Sequence, residues 1–298
     1  MNRKKILQVL LVISILTLCS SVPYLITYDP NFVEFSGVTD KRGVTYNVVT
    51  MNRTGSGNRI KAKYFAAKDN YGTTVPFRVF EWAKGKNLIA ITSAGYMDNS
   101  ITPVGLTIDN GRIVNRNLEN FDALIIVYAT GGIAATNLDL ADLKLQGGGI
   151  DPTRKFDIRN NSRDREEFID WAENVGATVF QTHLLVYKDV LAITPSAPSA
   201  TKDIRERRFL AVGTDKNTGD IIHVIINSSE YTSLYEGSRR TKDFLNEYKD
   251  MNVIFMINLD TGAQDVFNLY NKDGSINKSI KGEKSMDYAA NLLCYYFE

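Results

Sequence analysis

Histidine and cysteine are almost missing from this 298-residue chain, which holds two of each. The cysteines, Cys19 and Cys294, are far apart, and no Cys/His cluster has zinc-ligand spacing, so a structural zinc site is set aside. If Cys19 belongs to a leader, Cys294 is alone and the exported part has no intrachain disulfide. Cys294 sits in the apolar run LLCYYF and reads as an inert core residue. An excess of one charge is missing too: 35 Lys and Arg stand against 34 Asp and Glu, a net charge of +1. That balance removes the electrostatic case for nucleic acid or an anionic membrane surface as a partner. There is no repeat of roughly 20–50 residues and no low-complexity linker, which argues against a solenoid and against a divided chain. Asp and Glu are nowhere paired at a recognisable spacing, which weakens a two-carboxylate glycosidase. Hydrophobic content of 44% and charged content of 23% are those of an ordinary globular protein. The 15 tyrosines and 14 phenylalanines fit a β-rich core better than a sugar site.

The N-terminus has its own composition. Arg3, Lys4 and Lys5 precede an apolar run from Ile6 to Leu18 broken only by Gln8, Ser14 and Thr17, the pattern of a signal peptide. Carried to Ile26, the run is about 20 residues long, enough to cross a bilayer once. No small-x-small cleavage site is clear, and Leu18 is bulky for a lipoprotein cysteine at Cys19. The expectation is an uncleaved anchor of one helix, ahead of a cleaved leader, with lipidation third. Positive charge before the run places the remaining mass outside the cytoplasm, at a cell surface or in a periplasm.

Beyond a connector, alternation and turn residues predict strands at Gly43 to Thr50, Arg59 to Ala66 and Leu88 to Thr92. Val104 to Asn115 (VGLTIDNGRIVN) reads as a hairpin turning on Asn110-Gly111. Asp122 to Tyr128 and Ala177 to Tyr187 are strand-like, and Phe209 to Gly213 with Ile221 to Ile226 form a second hairpin. Helical periodicity covers Arg163 to Val175 and Tyr231 to Tyr248, Thr194 to Thr201 reads as a loop, and the last apolar segment is strand or helix. The sum is an α+β fold: a single mixed domain, strand-rich with inserted helices, behind an N-terminal hydrophobic segment. The expected boundaries are 1–26 for the leader, 27–42 for the connector and 43–298 for the domain.

The most informative stretch is MINLDTGAQDVF, Met256 to Phe267, where a buried strand delivers one carboxylate, Asp260, into a turn of small residues. Two other blocks stand out: ITSAGYMDNSITPVGLTIDNGRIVN, and the hairpin RRFLAVGTDKNTGDIIHVIIN entered by Arg207 and Arg208. In order and rough spacing the three resemble the phosphodiester glycosidase family, whose motifs read IN-A/G-G-F-F-D, then P-x-G-L-x-I-x-N-G, then R-T-A-I-G, then N-L-D-G-G-G-S. The resemblance runs from Leu88 to about Phe297. Pro103, Gly105, Leu106, Asn110 and Gly111 match the second motif, Asn258, Leu259, Asp260 and Gly262 the last, and Gln181 a glutamine usual in one bacterial branch. Arg208 lies one residue further from Gly213 than the family's arginine does from its glycine. Ser93 replaces an asparagine, and Thr261, Ala263 and Gln264 replace two glycines and a serine.

What the resemblance implies is an exported hydrolase cleaving a sugar-1-phosphodiester bond in a glycoconjugate. In that role Asp260 and Arg208 are the expected catalytic pair, the carboxylate moving a proton and the guanidinium pairing the phosphate. Arg207 is the alternative arginine. Ser93, Tyr96, Asn258 and Gly262 are expected to contact sugar or phosphate, with Asp98 as a second carboxylate and His183 near the site. Each has a plainer reading: a solvated arginine face, a core Tyr96, a turn Asp98, packing histidines at 183 and 223. No metal ligand set and no cofactor are expected, and the partners are a glycan or sugar-phosphate ligand and a membrane through the N-terminal segment. The motif substitutions support an alternative from another class, a surface-anchored glycan- or phosphate-binding protein that kept the fold and lost the chemistry.

Overall fold

Long-range antiparallel pairing, not local helix formation, organises the chain. The computed structural model describes residues 29, 31–66, 72–196, 198–228, 230–263, 265–282 and 286–298. The expected leader at 1–26 lies outside these residues. No helix among the described residues is long and apolar enough to cross a membrane.

Three sheets make up a strand-rich α+β domain with few helices. The first contains β1 (Val33–Thr39), β2 (Thr45–Asn52), β13 (Ile221–Ser228), β12 (Arg208–Asp215), β14 (Met251–Leu259), β10 (Leu184–Tyr187) and β11 (Val190–Leu191), in that spatial order. The second runs β16 (Ile276–Lys281), β15 (Val266–Tyr270), β4 (Asn87–Ser93), β17 (Asn291–Phe297), β3 (Ile60–Ala66). The third runs β6 (Arg112–Asn115), β5 (Thr107–Asp109), β9 (Thr178–Thr182), β7 (Ala123–Val127), β8 (Ile133–Asn137). A shared core that includes Ile125, Phe180, Leu210, Ile257 and Leu293 lies between the sheets.

Each sheet's outer face is covered by one amphipathic helix. Helix α1 (Val75–Ala83) sets Val75 and Val79 on Phe65, Ile91 and the buried Cys294 of the second sheet. Helix α2 (Ser162–Asn174), capped by Asn161 accepting from the N–H groups of Arg163 and Asp164, packs Phe168 and Ile169 on the third. A short turn of helix, α3 (Pro198–Lys202), precedes β12 in the stretch read as a loop. Helix α4 (Leu234–Tyr248) begins at the Ser233 cap and packs Phe244 and Leu245 on Phe209 and Ile226 of the first sheet.

Several expectations are corrected. The stretch read as a connector, 27–42, carries β1, which pairs with β2 along its length; Asp40 closes the turn by accepting from the N–H groups of Arg42 (2.9 Å) and Val44 (3.0 Å). The final apolar segment is a strand, and it lies inside its sheet between β4 and β3. Val175, the last residue of the expected helix, lies just past the end of α2 and is 40% exposed. The strand-like run Ala177 to Tyr187 is two strands in two different sheets, and the chain crosses between them at His183. The Asn110-Gly111 hairpin is as read, with φ of 51° and 75°, the mirror-image turn that matches strand twist.

Candidate functional site

The end of β14 gathers three remote segments. Asp260 N–H donates to the Ala94 carbonyl (2.9 Å), tying the turn after β14 to the residues that follow β4. Asn258 N–H donates to the His183 carbonyl (3.2 Å), and Thr182 Oγ1 donates to the Asn258 carbonyl (2.7 Å), adding the crossing between β9 and β10. β12 runs antiparallel alongside, with Arg208 opposite Leu259. Side chains alternate across a strand, so neighbours in sequence part to opposite faces. Ile257 and Leu259 join the inter-sheet core, whereas Met256 and Phe209 face α4.

Arg208 lies on the core face. Its side chain has no solvent exposure, its Nη2 meets Asp265 Oδ2 at 3.0 Å while Nη1 meets Oδ1, and its guanidinium stacks 4.4 Å from the Phe267 ring centre. Both arms of the fork are spent inside the protein, so the geometry gives Arg208 a structural task and not the phosphate contact expected of it. Ser93 is on the same side, its Oγ accepting from Val266 N–H at 2.9 Å. It holds β15 to β4 and does not face a ligand cleft. The carboxylate that makes this possible is Asp265, and the sequence alone does not single it out, because its role follows from the burial of Arg208, which requires an acidic partner.

Around Asn258, on the opposite face of β14 from Ile257 and Leu259, gather Tyr96, Phe121 and His183, with Asp260 and Arg207 acting on the Tyr96 phenol. Asn258 Nδ2 donates to the Tyr96 hydroxyl at 2.6 Å and to the Leu259 carbonyl at 3.1 Å. Phe121 stacks on Tyr96 with ring centres 5.2 Å apart, and His183 stands edge-on to both rings. Asp260 is 9% exposed, and its Oδ1 accepts from Gly262 N–H at 2.9 Å. Burial pushes its carboxyl above the usual aspartate range; the Gly262 bond, with Arg205 and Arg208, pulls the other way. Burial, then the nearby Asp260 charge, raises the Tyr96 phenol, against the pull of Arg207 and Arg205. Burial and the Arg207 charge lower His183, which stays neutral near pH 7. Arg207 is thus felt at Tyr96 and His183, whereas Arg205 and Arg208 are the guanidiniums felt at Asp260. Arg207 Nε donates to the Thr232 carbonyl (3.2 Å) and its Nη2 to the Asp203 carbonyl, and no described residue takes Nη1.

Asp98 is set apart. It is exposed, and its Oδ1 caps a turn by accepting from Ser100 (2.8 Å) and Thr102 (2.9 Å) N–H groups. Gly262 is in the site, but its N–H is already given to Asp260; Gln264 lies outside the described residues. Past the turn an open groove of about 470 Å³ runs between Arg205, Glu206, Thr261, Gly262 and Lys281. Two framing residues hold the cleft in shape. Asn291 clamps Gly95 from both sides, accepting from its N–H (2.8 Å) and donating to its carbonyl (2.9 Å). Gln181 is fully buried, its Oε1 accepting from Leu106 (2.8 Å) and Glu119 (3.0 Å) N–H groups. Among the described residues no group of three His, Cys, Asp or Glu side chains is placed to hold a metal ion. His223 is remote from the cleft, buried with its Nδ1 3.0 Å from the Tyr295 hydroxyl.

These features define a three-sheet α+β protein in which a buried carboxylate, Asp260, and the arginines Arg205 and Arg207 act on one buried phenol, Tyr96. No protein-family model matches the chain, and no curated protein matches it. Among solved structures, it is similar to the catalytic domain of zebrafish N-acetylglucosamine-1-phosphodiester alpha-N-acetylglucosaminidase auto-inhibited by its pro-peptide. That match has 17% identity and a TM-score of 0.49, covering 89% of this chain and 82% of that one. A protein from Synechocystis matches at 12% identity and a TM-score of 0.46, over 89% of this chain and 62% of that one. A protein of Burkholderia pseudomallei K96243 described as exported matches at 11% identity and a TM-score of 0.40, over 85% and 74%. The likeness is one of fold.

Proposed function

We propose that the chain is an exported hydrolase that breaks the bond between a sugar's anomeric carbon and a phosphodiester. The observation that carries this reading is that a 9%-exposed carboxylate, Asp260, and the guanidinium of Arg207 both act on one phenol, Tyr96. Cleaving a sugar from a neutral alcohol takes two carboxyl groups, because the leaving oxygen must be protonated. A phosphate leaves as a stable anion, so a cation replaces the acid and one carboxylate suffices. Water adds to the anomeric carbon as its bond to oxygen breaks. The electron pair departs on the phosphate as a phosphomonoester, and Asp260 takes the proton from the water. Burial makes Asp260 a better base than an exposed aspartate, provided the pH exceeds its raised pKa. Arg207 offers Nη1 to the phosphate, and the wall of Tyr96, Phe121 and His183 flanks the sugar. The groove beyond the 261–263 turn has room for the group on the far side of the phosphate.

The N-terminal pattern supports export with the apolar segment as anchor or cleaved leader; fractionation of cells making the full chain, with N-terminal sequencing of the product, tests it. Turnover is tested with methyl diesters of several α- and β-glycosyl 1-phosphates, measuring release of methyl phosphate. Catalytic release from at least one, abolished in Asp260→Asn, is expected; no release from any of them overturns the hydrolase. One observation favours a second reading, binding without turnover: Gly262 N–H and the Thr261 hydroxyl are spent on Asp260 and the Glu206 carbonyl (2.8 Å), so the turn donates inward instead of to a ligand.

A further inference from the structure

We infer that Asn258 is a positioning residue, whose amide compels the Tyr96 hydroxyl to act as a neutral hydrogen-bond donor to a phosphoryl oxygen held beside Arg207. This rests on the reading of the site as a phosphate-ester site and adds to it a residue and a direction of hydrogen bonding.

The argument begins with the amide. Asn258 Nδ2 has two hydrogens, and both have acceptors: the Tyr96 oxygen at 2.6 Å and the Leu259 carbonyl at 3.1 Å. Turning the amide over would set Oδ1 against the Leu259 carbonyl, two acceptors face to face, so the orientation is fixed by the backbone. Asn258 is 2% exposed, and its Oδ1 has no partner among the described residues, a cost the fold accepts to keep the N–H pointed at the phenol. Asn258 therefore serves the ligand through Tyr96 and does not contact it.

The phenol then has little choice. Its ring is held by stacking on Phe121 and by the edge contact with His183 at 5.7 Å between centres. A phenolic hydrogen lies in the ring plane and has two positions there. With Asn258 donating on one side, the Tyr96 hydrogen takes the other. The charged groups felt at that hydroxyl are Asp260, Arg207, Arg205 and Asp203. A phosphoryl oxygen paired with Arg207 offers the acceptor that this hydrogen lacks among the described residues.

The test is a double-mutant cycle on full-length protein, read by calorimetric titration of inorganic phosphate, with kcat/KM on a turned-over diester as a second readout. Tyr96→Phe keeps the ring and removes the donor; phosphate affinity should fall about tenfold, the scale of one hydrogen bond to a charged acceptor. Asn258→Leu keeps the volume and frees the phenol to rotate; affinity should fall by several-fold in wild type and not at all in the Tyr96→Phe background. Additive losses, or a Tyr96→Phe protein that binds phosphate as wild type does, would overturn the inference, and the Phe variant alone decides it if Asn258→Leu does not fold. Wild type that binds no phosphate at millimolar concentration also overturns it. Coupled phosphate binding without turnover would uphold the inference while removing the hydrolase; turnover indifferent to Tyr96→Phe would do the reverse.

Discussion

Replacing Arg208 by methionine separates the two neighbouring arginines, because the structure assigns them different work. Arg208 has no exposure, faces Asp265 through both Nη atoms and lies on the Phe267 ring. Arg208→Met leaves Asp265, itself 5% exposed, as an uncompensated buried carboxylate. Losing one partner of such a pair costs about 3–5 kcal/mol, and the stacking adds roughly 0.5–2 kcal/mol. Against a total stability of about 5–15 kcal/mol, that is a large fraction, and a melting temperature lower by roughly 7–28 °C follows for a domain of this size. The double substitution Arg208→Met with Asp265→Leu should recover most of the loss, because buried ion pairs are commonly replaced by apolar groups without net cost. Recovery is also favoured because Arg208 Nε has no partner among the described residues, and the double change removes that unmet donor. Urea unfolding midpoints of wild type, both single variants and the double variant measure this. A single substitution that costs under about 1 kcal/mol, against the loss expected of a buried pair, would refute the assignment. So would a double variant no more stable than the singles.

The remaining predictions concern the cleft and its frame. Arg207→Met should lower kcat/KM by about 10²–10³, the scale of one transition-state donor, and cost about 1–3 kcal/mol of stability for two lost carbonyl contacts and about 0.2–1 kcal/mol for the ion pair with Asp203; equal activity to wild type would remove Arg207 from the reaction. Asp260→Asn should abolish turnover yet stabilise the protein at pH 7 by about 0.5–2 kcal/mol, as at other strained functional sites. The sign follows from the raised pKa of Asp260: the folded state holds the proton more tightly than the unfolded chain, so ionisation destabilises it as pH rises through the folded value. Thermal melts should therefore show the gain at pH 7 and its disappearance as pH falls toward the unfolded aspartate pKa; a gain independent of pH would contradict this. Gly105→Ala, at φ +85° with a Cβ 2.7 Å from Gln181 Oε1, should destabilise by about 1–2 kcal/mol for the backbone and about 1–3 kcal/mol for the clash, checked by the same denaturation assay.

What could be read in the residues was local. The Asn110-Gly111 hairpin, α2 and α4 are encoded by nearby residues, and Asp260 stood out because a strand and a small-residue turn are contiguous in the chain. Strand β1 escaped notice because Gly37 interrupts a weak alternation, and its pairing with β2 is what makes it a strand. The choice between Arg207 and Arg208 was not legible. It depends on register, since placing Arg208 opposite Leu259 sends one arginine to each face, and a slip of one residue would exchange them. Ser93 and Asp98 belong to the right segments but are taken by backbone contacts that only the folded chain reveals. Tyr96 and Asn258 were named from their motifs; their hydrogen bond joins residues 162 apart in sequence.

The central claim is that one carboxylate and one arginine expel a phosphate from an anomeric carbon. Hydrolysis of a glycosyl 1-phosphate methyl diester in ¹⁸O-labelled water tests it most directly, with products read by mass spectrometry. The label should appear at the sugar's C1 hydroxyl and not in methyl phosphate, and Asp260→Asn should release neither product at a measurable rate. Label in the phosphate, or turnover that survives the substitution, would contradict it.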